Sequence, residues 1–316
     1  MKISSFNYSI VSLLLSLSYS MYSMESENDG GYKKIWTIQI PRAVTVATSD
    51  DHIAIGTALG PVKLYDYQGS LKENISSRAD GGLLFYTSEN QEKNFAYVST
   101  VGKVRVQSFD SRNERSFTIN QPTYCIAQDK DKLLFGTNDN AIQVWDASSH
   151  CIQSYTSEHI APVTALQITD NFIIAGSYSG KCIAIDKETK KEICHWYRYN
   201  VPVTALAKNT QNSCYAGYRD GHIIVADDQD RNGHPIMLGQ INPPHALFSL
   251  ALLKSTYLAA AHPGCVGIYD IRRLCLPVIA YQLQNQKQYV AVVEATEKGF
   301  VSLASDGTVE LWEEAQ

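Results

Sequence analysis

The side chains that could do chemistry are numerous but scattered. Eight histidines occur, and none stands in H-x-x-x-H or H-E-x-x-H spacing, the pattern that sets two imidazoles on one helix face around zinc. Seven cysteines include no C-x-x-C pair, and an odd count excludes a fully paired intramolecular disulfide framework. They are expected to be small buried hydrophobes. No G-x-S-x-G nucleophile elbow and no glycine-rich phosphate loop is present. Most carboxylates fall in turn-like stretches, where Asp hydrogen-bonds the local backbone. The chain is therefore expected to be non-catalytic, with no metal and no cofactor.

Better candidates are polar and aromatic residues at the tips of short turns, which suit binding. Asn138, Tyr178, Arg219 and His262, the last followed by Pro263, occupy such tips. Tyr and Arg are enriched at binding hot spots. The elements that would position them recur along the chain. "GTNDNAIQVWD" (136–146) is a polar turn, an alternating strand and a Trp-Asp pair. Related stretches are "GTALGPVKLYD" ending at Asp66, "GSYSGKCIAID" at Asp186 and "GYRDGHIIVAD" at Asp227. Weaker copies end at Ser108, Asp270 and Glu313.

Seven units thus repeat at a period of roughly forty residues, the spacing of a repeat architecture. Each has a turn residue able to take positive φ: Gly60, Gly102, Asn140, Gly180, Gly221, Gly264 and Gly307. Small residues such as Gly56, Gly136, Gly176 and Gly217 recur inside the preceding strand, where a missing side chain lets another group approach closely. Each unit opens with an apolar alternation, clearest in "PVTALQI" (162–168) and "PVTALAK" (202–208). Four short antiparallel strands per unit form the blade of a β-propeller. The predicted fold is all-β, a seven-bladed propeller over residues 33–316.

The last unit ends at Gln316 with room for three strands only, while "KKIWTIQI" (Lys33 to Ile40) is an alternating strand with no partner of its own. The N-terminal strand, carrying Trp36, is expected to close the ring as the outer strand of the last blade.

These units resemble the WD-repeat family. "IQVWD" (142–146) carries the family's terminal dipeptide, "VELWE" (309–313) keeps the Trp, and "VKLYD" and "VGIYD" keep the Asp. The resemblance implies a structural hydrogen-bonded set of His, Ser/Thr, Trp and Asp in a blade. Here it maps partly onto His159, Thr137, Trp145 and Asp146, with Trp312 in the last unit. It also implies a scaffold that binds a protein or peptide across the channel face, through Asn138, Tyr178, Arg219, His262 and Tyr199, as a monomer or a subunit of a larger complex. One unit, "AIDKETKKEICHW" (184–196), is similar to the repeat of quinoprotein-like propellers. That alternative implies a channel-site enzyme or small-ligand binder, although no adjacent Cys-Cys pair exists.

The bulk numbers agree with a globular chain: 44% hydrophobic, 19% charged, net charge −5. The mild acidity argues against broad nucleic-acid binding. Residues 1–23 stand apart. Lys2, the apolar run "IVSLLLSL" (10–17) and small residues beyond it are similar to a cleavable secretory signal, too short to span a bilayer. That reading places the protein outside the cytoplasm. A disordered leader, or a start at Met21 or Met24, keeps it inside. Residues 24–32 read as a polar linker. Cys182 and Cys194 flank a turn centred near residue 188 and are expected to be nearly opposite each other. They are the candidate disulfide in an oxidising compartment and otherwise packing thiols.

Overall fold

The computed structural model describes residues 31–75, 79–88, 91–109, 113–147, 149, 152–156, 161–198, 200–208, 213–227, 236–241, 246–254, 256–271, 277–282 and 290–315. The leader, His159 and Tyr199 lie outside these. Among the described residues, twenty-eight strands pair into seven antiparallel sheets of four. Blades 1 to 6 are each built from consecutive strands within 43–75, 82–118, 123–156, 163–197, 203–241 and 249–282. Blade 7 combines Val290–Ala295, Gly299–Ala304 and Thr308–Glu314 with the N-terminal strand Tyr32–Gln39.

That last pairing closes the ring. The N-terminal strand lies outermost against Thr308–Glu314, with Tyr32 opposite Glu314 and Gln39 opposite Thr308. It starts one residue earlier than expected because the Tyr32 ring packs edge-on against Phe300, at 5.2 Å between centroids. Trp36 reaches across the seam and donates its indole N–H to the Tyr67 carbonyl of blade 1 (3.0 Å). Closure covers the exposed side of the third strand, which would otherwise offer unpaired backbone to another chain. The innermost strands then neighbour one another in sequence order around the ring, Val290–Ala295 meeting Ala43–Thr48 at the join.

Apolar side chains of facing sheets fill the seams. Ile142, Val144, Leu166, Ile173 and Ile183 form one cluster between blades 3 and 4. The recurring strand glycines make these seams tight. A Cβ on Gly176 would lie 2.3 Å from Val203 Cγ1, and one on Gly217 would lie 2.6 Å from a Leu247 methyl. A Cβ on Gly136 would lie 2.8 Å from Val163. At each of these glycines a crowded atom belongs to the next blade, and at Gly136 the Cys125 Sγ of its own blade is closer still (2.4 Å), so the glycine column is where neighbouring blades touch.

The register corrects the cysteine expectation. Cys182 pairs with Trp196, and Cys194 pairs with Ala184, so the two cysteines are displaced along the hairpin. Cys182 is fully buried and not disulfide-bonded.

Candidate functional site

In every blade the turn from the second to the third strand lies at the same end as the start of the first strand. In blade 3, Thr123 pairs with Thr137 at that end. These turns and strand starts therefore share one face of the ring, around the mouth of the channel.

The turns are tied down by main-chain bonds. Asn138, Tyr178 and Arg219 donate their N–H groups to the carbonyls of Pro122, Pro162 and Pro202, each at 2.9 Å, and Ala58 donates likewise to Arg42. In blade 2 the Asp80 carboxylate substitutes for the carbonyl, accepting from Thr100 N and Oγ1 (3.0 and 3.1 Å). With the backbone fixed this way, the side chains of Asn138, Tyr178 and Arg219 remain exposed. A fixed backbone presenting exposed side chains is preorganised for contact.

His262 departs from the expectation. Its turn is shorter, with only Pro263 and Gly264 between the paired residues His262 and Cys265, so the histidine stays inside the strand. It is 2% exposed. Pro263 has no N–H to tether the turn, and the imidazole supplies the donor: Nδ1–H donates to the Ala246 carbonyl (3.0 Å). Nε2 then accepts from the Tyr269 hydroxyl (2.8 Å). Both ring nitrogens are occupied within the fold, and His262 offers nothing to a partner.

Around the mouth, apolar side chains form an arc that sequence reasoning missed. Leu59 (66% exposed) and Val101 (59%) sit at the turn tips of blades 1 and 2, and Tyr178 (56%) at that of blade 4. Tyr124 (45%) and Val44 (39%) are the second residues of their first strands, each at a register shift that bulges the residue out of the ladder. Thr164 and Thr204 occupy the same bulge in blades 4 and 5, but their hydroxyls donate to the Val203 and Gly217 carbonyls. The Tyr124 hydroxyl donates to Asn138 Oδ1 (3.1 Å), joining an expected binding residue to this exposed arc. A signal for Leu59 and Val101 was available. They immediately precede the turn glycines, where Asp139, Ser179 and Asp220 stand in the next three units.

Charges on this face are unequally engaged. Asp139 accepts from Thr137 Oγ1, and Asp306 accepts from Thr308 N and Oγ1. Asp220 lies 2.6 Å from Arg198 Nε and 3.1 Å from His222 Nδ1. Burial alone would raise its carboxyl, but the bonds from Arg198 and His222 outweigh that and hold it below the ordinary carboxylate value. The exposed cations Arg42, Lys103 and Arg219 have no carboxylate within ion-pair range among the described residues. Arg42 also holds a left-handed φ of 63° in the position that Pro122, Pro162 and Pro202 fill elsewhere. A non-glycine residue seldom adopts this conformation.

The other face is different. Its turns carry exposed Asp50, Asp51, Lys130, Asp170, Asn171 and Glu297. Ion pairs there bridge neighbouring blades: Lys93 to Asp51 (2.8 Å), Lys187 to Asp129 (2.6 Å), and Lys254 to Glu314.

The tryptophans serve the fold. Trp145 is 3% exposed and stacks on Phe117 at 4.8 Å. Trp312 donates to Ser302 Oγ (3.1 Å) and stacks on Phe300. Thr137 is fully buried and also donates to the Ala141 carbonyl, while Asp146 caps Ser149 N and lies 3.7 Å from Lys132. Burial pushes the thiols of Cys125 and Cys214 up to about 12, leaving them un-ionised and poor nucleophiles. Among the described residues no three His, Cys, Asp or Glu converge as a metal site would require, and no helix is long and apolar enough to cross a membrane.

Seven four-stranded blades, closed by the N-terminal strand, define a seven-bladed β-propeller. Among solved structures, the β-propeller domain of Myceliophteria thermophila Cps50 (Swd1) superposes with a TM-score of 0.76. The match covers 90% of this chain and 100% of that one at 14% sequence identity, a likeness of fold alone. No protein-family model matches the sequence, and no curated protein matches it.

Proposed function

We propose that the chain is a non-catalytic interaction platform that binds a protein or peptide across the channel face of the propeller. The observation that carries this reading is the asymmetry between the two faces. Leu59, Val101, Tyr124, Tyr178 and Val44 cluster at one mouth, while the turns at the other are polar. Exposed apolar groups gathered in one place mark interaction sites more often than the same groups scattered singly. Aromatic and arginine side chains on a fixed backbone, here Tyr124, Tyr178 and Arg219, are the usual anchors of such a site. Asn138 belongs to it through its bond to Tyr124. The seven-bladed WD-repeat-type fold suits this role, since blade packing occupies the strands and leaves the turns for recognition.

The test is affinity purification from the native compartment with three forms of the full chain. Wild type and an opposite-face variant, Lys130→Ala, should recover the same partner, and a Leu59→Asp/Tyr178→Asp double variant should lose it. Equal recovery by all three, or loss with Lys130→Ala alone, would move the binding surface away from the channel face.

A further inference from the structure

We infer that Glu294 makes the join between the last and first blades a pH-sensitive latch, closed while its carboxyl is protonated and loosened when it ionises. The residue stands on the innermost strand of blade 7, opposite Val301. The corresponding positions of the other blades hold Ala47, Leu84, Ala127, Gln167, Ala207 and Ala251, none of them ionisable. Successive side chains of a strand point to opposite faces. Val293 and Ala295 pack into the cluster shared with blade 6, and Val292 into the cluster shared with blade 1. Glu294 has the parity of Val292 and therefore faces blade 1 across the join. As a residue it is half-buried, yet the packing withdraws its carboxyl from water and raises it to about 7.

Among the described residues Glu294 has no hydrogen bond or ion pair, and the groups around it do not favour its ionised form. Blade 1 contributes Asp50, Asp51, Tyr65 and Tyr67 on this side, and the following turn of blade 7 adds Glu297. Burial, together with the charges of Asp50, Asp51, Glu297 and Glu294, pushes the Tyr67 phenol up to about 12. Burial also holds Tyr65 above its ordinary value. The cations are committed elsewhere: Lys93 to Asp51, Lys34 to Glu310 and Lys254 to Glu314. Lys298, beside Glu297, is exposed and makes no ion pair with Glu294. His52 turns toward blade 2, where it stacks on Phe109. Blade 6, on the far side of the strand, adds only another acid, the buried Asp270. A carboxylate without a partner in such a seam is costly, and admitting water relieves the cost. Water enters here by parting the two inner strands. Tyr67 ties that region together: its carbonyl accepts from Trp36 of the closing strand (3.0 Å), and its hydroxyl donates to the Ser49 carbonyl (2.6 Å). Thr48 Oγ1 donates to the Ala295 carbonyl across the join itself. Ionisation of Glu294 therefore loads the bonds that hold the ring shut, including the one that anchors the closing strand.

The experiment is hydrogen exchange read by mass spectrometry on the full chain at pH 5.5 and pH 8.5, with rates divided by the intrinsic rate at each pH. Wild type is compared with Glu294→Gln and with Glu294→Ala, the latter restoring the residue that four other blades use. Peptides from 32–48 and 290–314 report the join, and peptides from 123–186 report blades 3 and 4. In wild type, opening at the join should increase about thirtyfold between the two pH values, the ratio for a carboxyl titrating at about 7 when closed and 4.5 when open. Blades 3 and 4 should change far less, and both variants should lose the pH response at the join. An unchanged join in wild type, an equal response in every blade, or a response that persists in either variant would overturn the latch.

Discussion

Gly176 offers a direct measure of how tightly the blades are pressed together. The φ of Gly176 lies outside the left-handed region, so alanine is compatible with the backbone. On backbone entropy alone Gly176→Ala would stabilise by about 0.4–1 kcal/mol. The new Cβ, however, would sit 2.3 Å from Val203 Cγ1 and 2.7 Å from Val203 Cβ, and Val203 is fully buried. Overpacking of this kind costs about 1–3 kcal/mol. The repulsive term outweighs the entropic gain, leaving a net loss of about 1–2 kcal/mol. An unfolding entropy of about 2.1 cal/mol/K per residue over roughly 280 ordered residues gives about 0.6 kcal/mol/K, so melting should fall by about 2–3 °C. Val203→Ala alone should destabilise by leaving a cavity, and the double variant should be more stable than the sum of the singles by about 1–2 kcal/mol. Scanning calorimetry on the four proteins would read all of this. A Gly176→Ala protein melting at or above wild type, or strict additivity, would show that the seam is looser than the geometry requires.

A chain beginning at Gly30 should fold as the full chain does, whereas one beginning at Arg42 lacks the closing strand and should aggregate; light scattering distinguishes them. Trp145→Ala should cost about 3–5 kcal/mol, as for other buried aromatics, measured by denaturant unfolding. His262→Ala should cost about 1–3 kcal/mol, because it strips the donor from the Ala246 carbonyl and the acceptor from the Tyr269 hydroxyl. The fourth concerns pH. Burial raises the Glu294 carboxyl from 4.5 to about 7. Over that window the folded state holds a proton that the unfolded state has released, so this group's contribution to stability is greatest below pH 4.5 and is lost as pH rises to 7. Glu294→Gln should therefore match wild type at pH 4 and melt higher at pH 8, and equal melting at both would refute the assignment.

Much of the architecture was legible because it is written locally and then repeated. Alternating apolar residues in "PVTALQI" and "PVTALAK" specify half-buried strands, and the turn residues specify hairpins. Gly102, Asn140, Gly180, Gly221, Gly264 and Gly307 take the positive φ that their position implied, whereas Gly60 does not. The closing strand followed from counting, since a fourth strand was missing at one end of the chain and spare at the other. The site was legible only as a face. Asn138, Tyr178 and Arg219 belong to turns whose lengths match, so counting along the repeat placed them correctly on the exposed side.

Tertiary structure decided the rest. One residue fewer in the blade 6 turn keeps His262 in the strand, and the missing N–H of Pro263 gives its imidazole a structural task. Neither consequence follows from the identity of the histidine. The register of a whole hairpin separated Cys182 from Cys194: the turn sets the pairing one residue away from a Cys182–Cys194 match, and the bulge between Ala184 and Ile185 adds another. Leu59 and Val101 matter together only because successive blades return to the same face, bringing residues some forty positions apart around one mouth. Strand and turn propensities act between residues a few positions apart, so one unit carries them. Exposure, burial of a carboxyl such as that of Glu294, and the balance of engaged and unengaged charge depend on side chains from other blades, and only the closed ring brings those together.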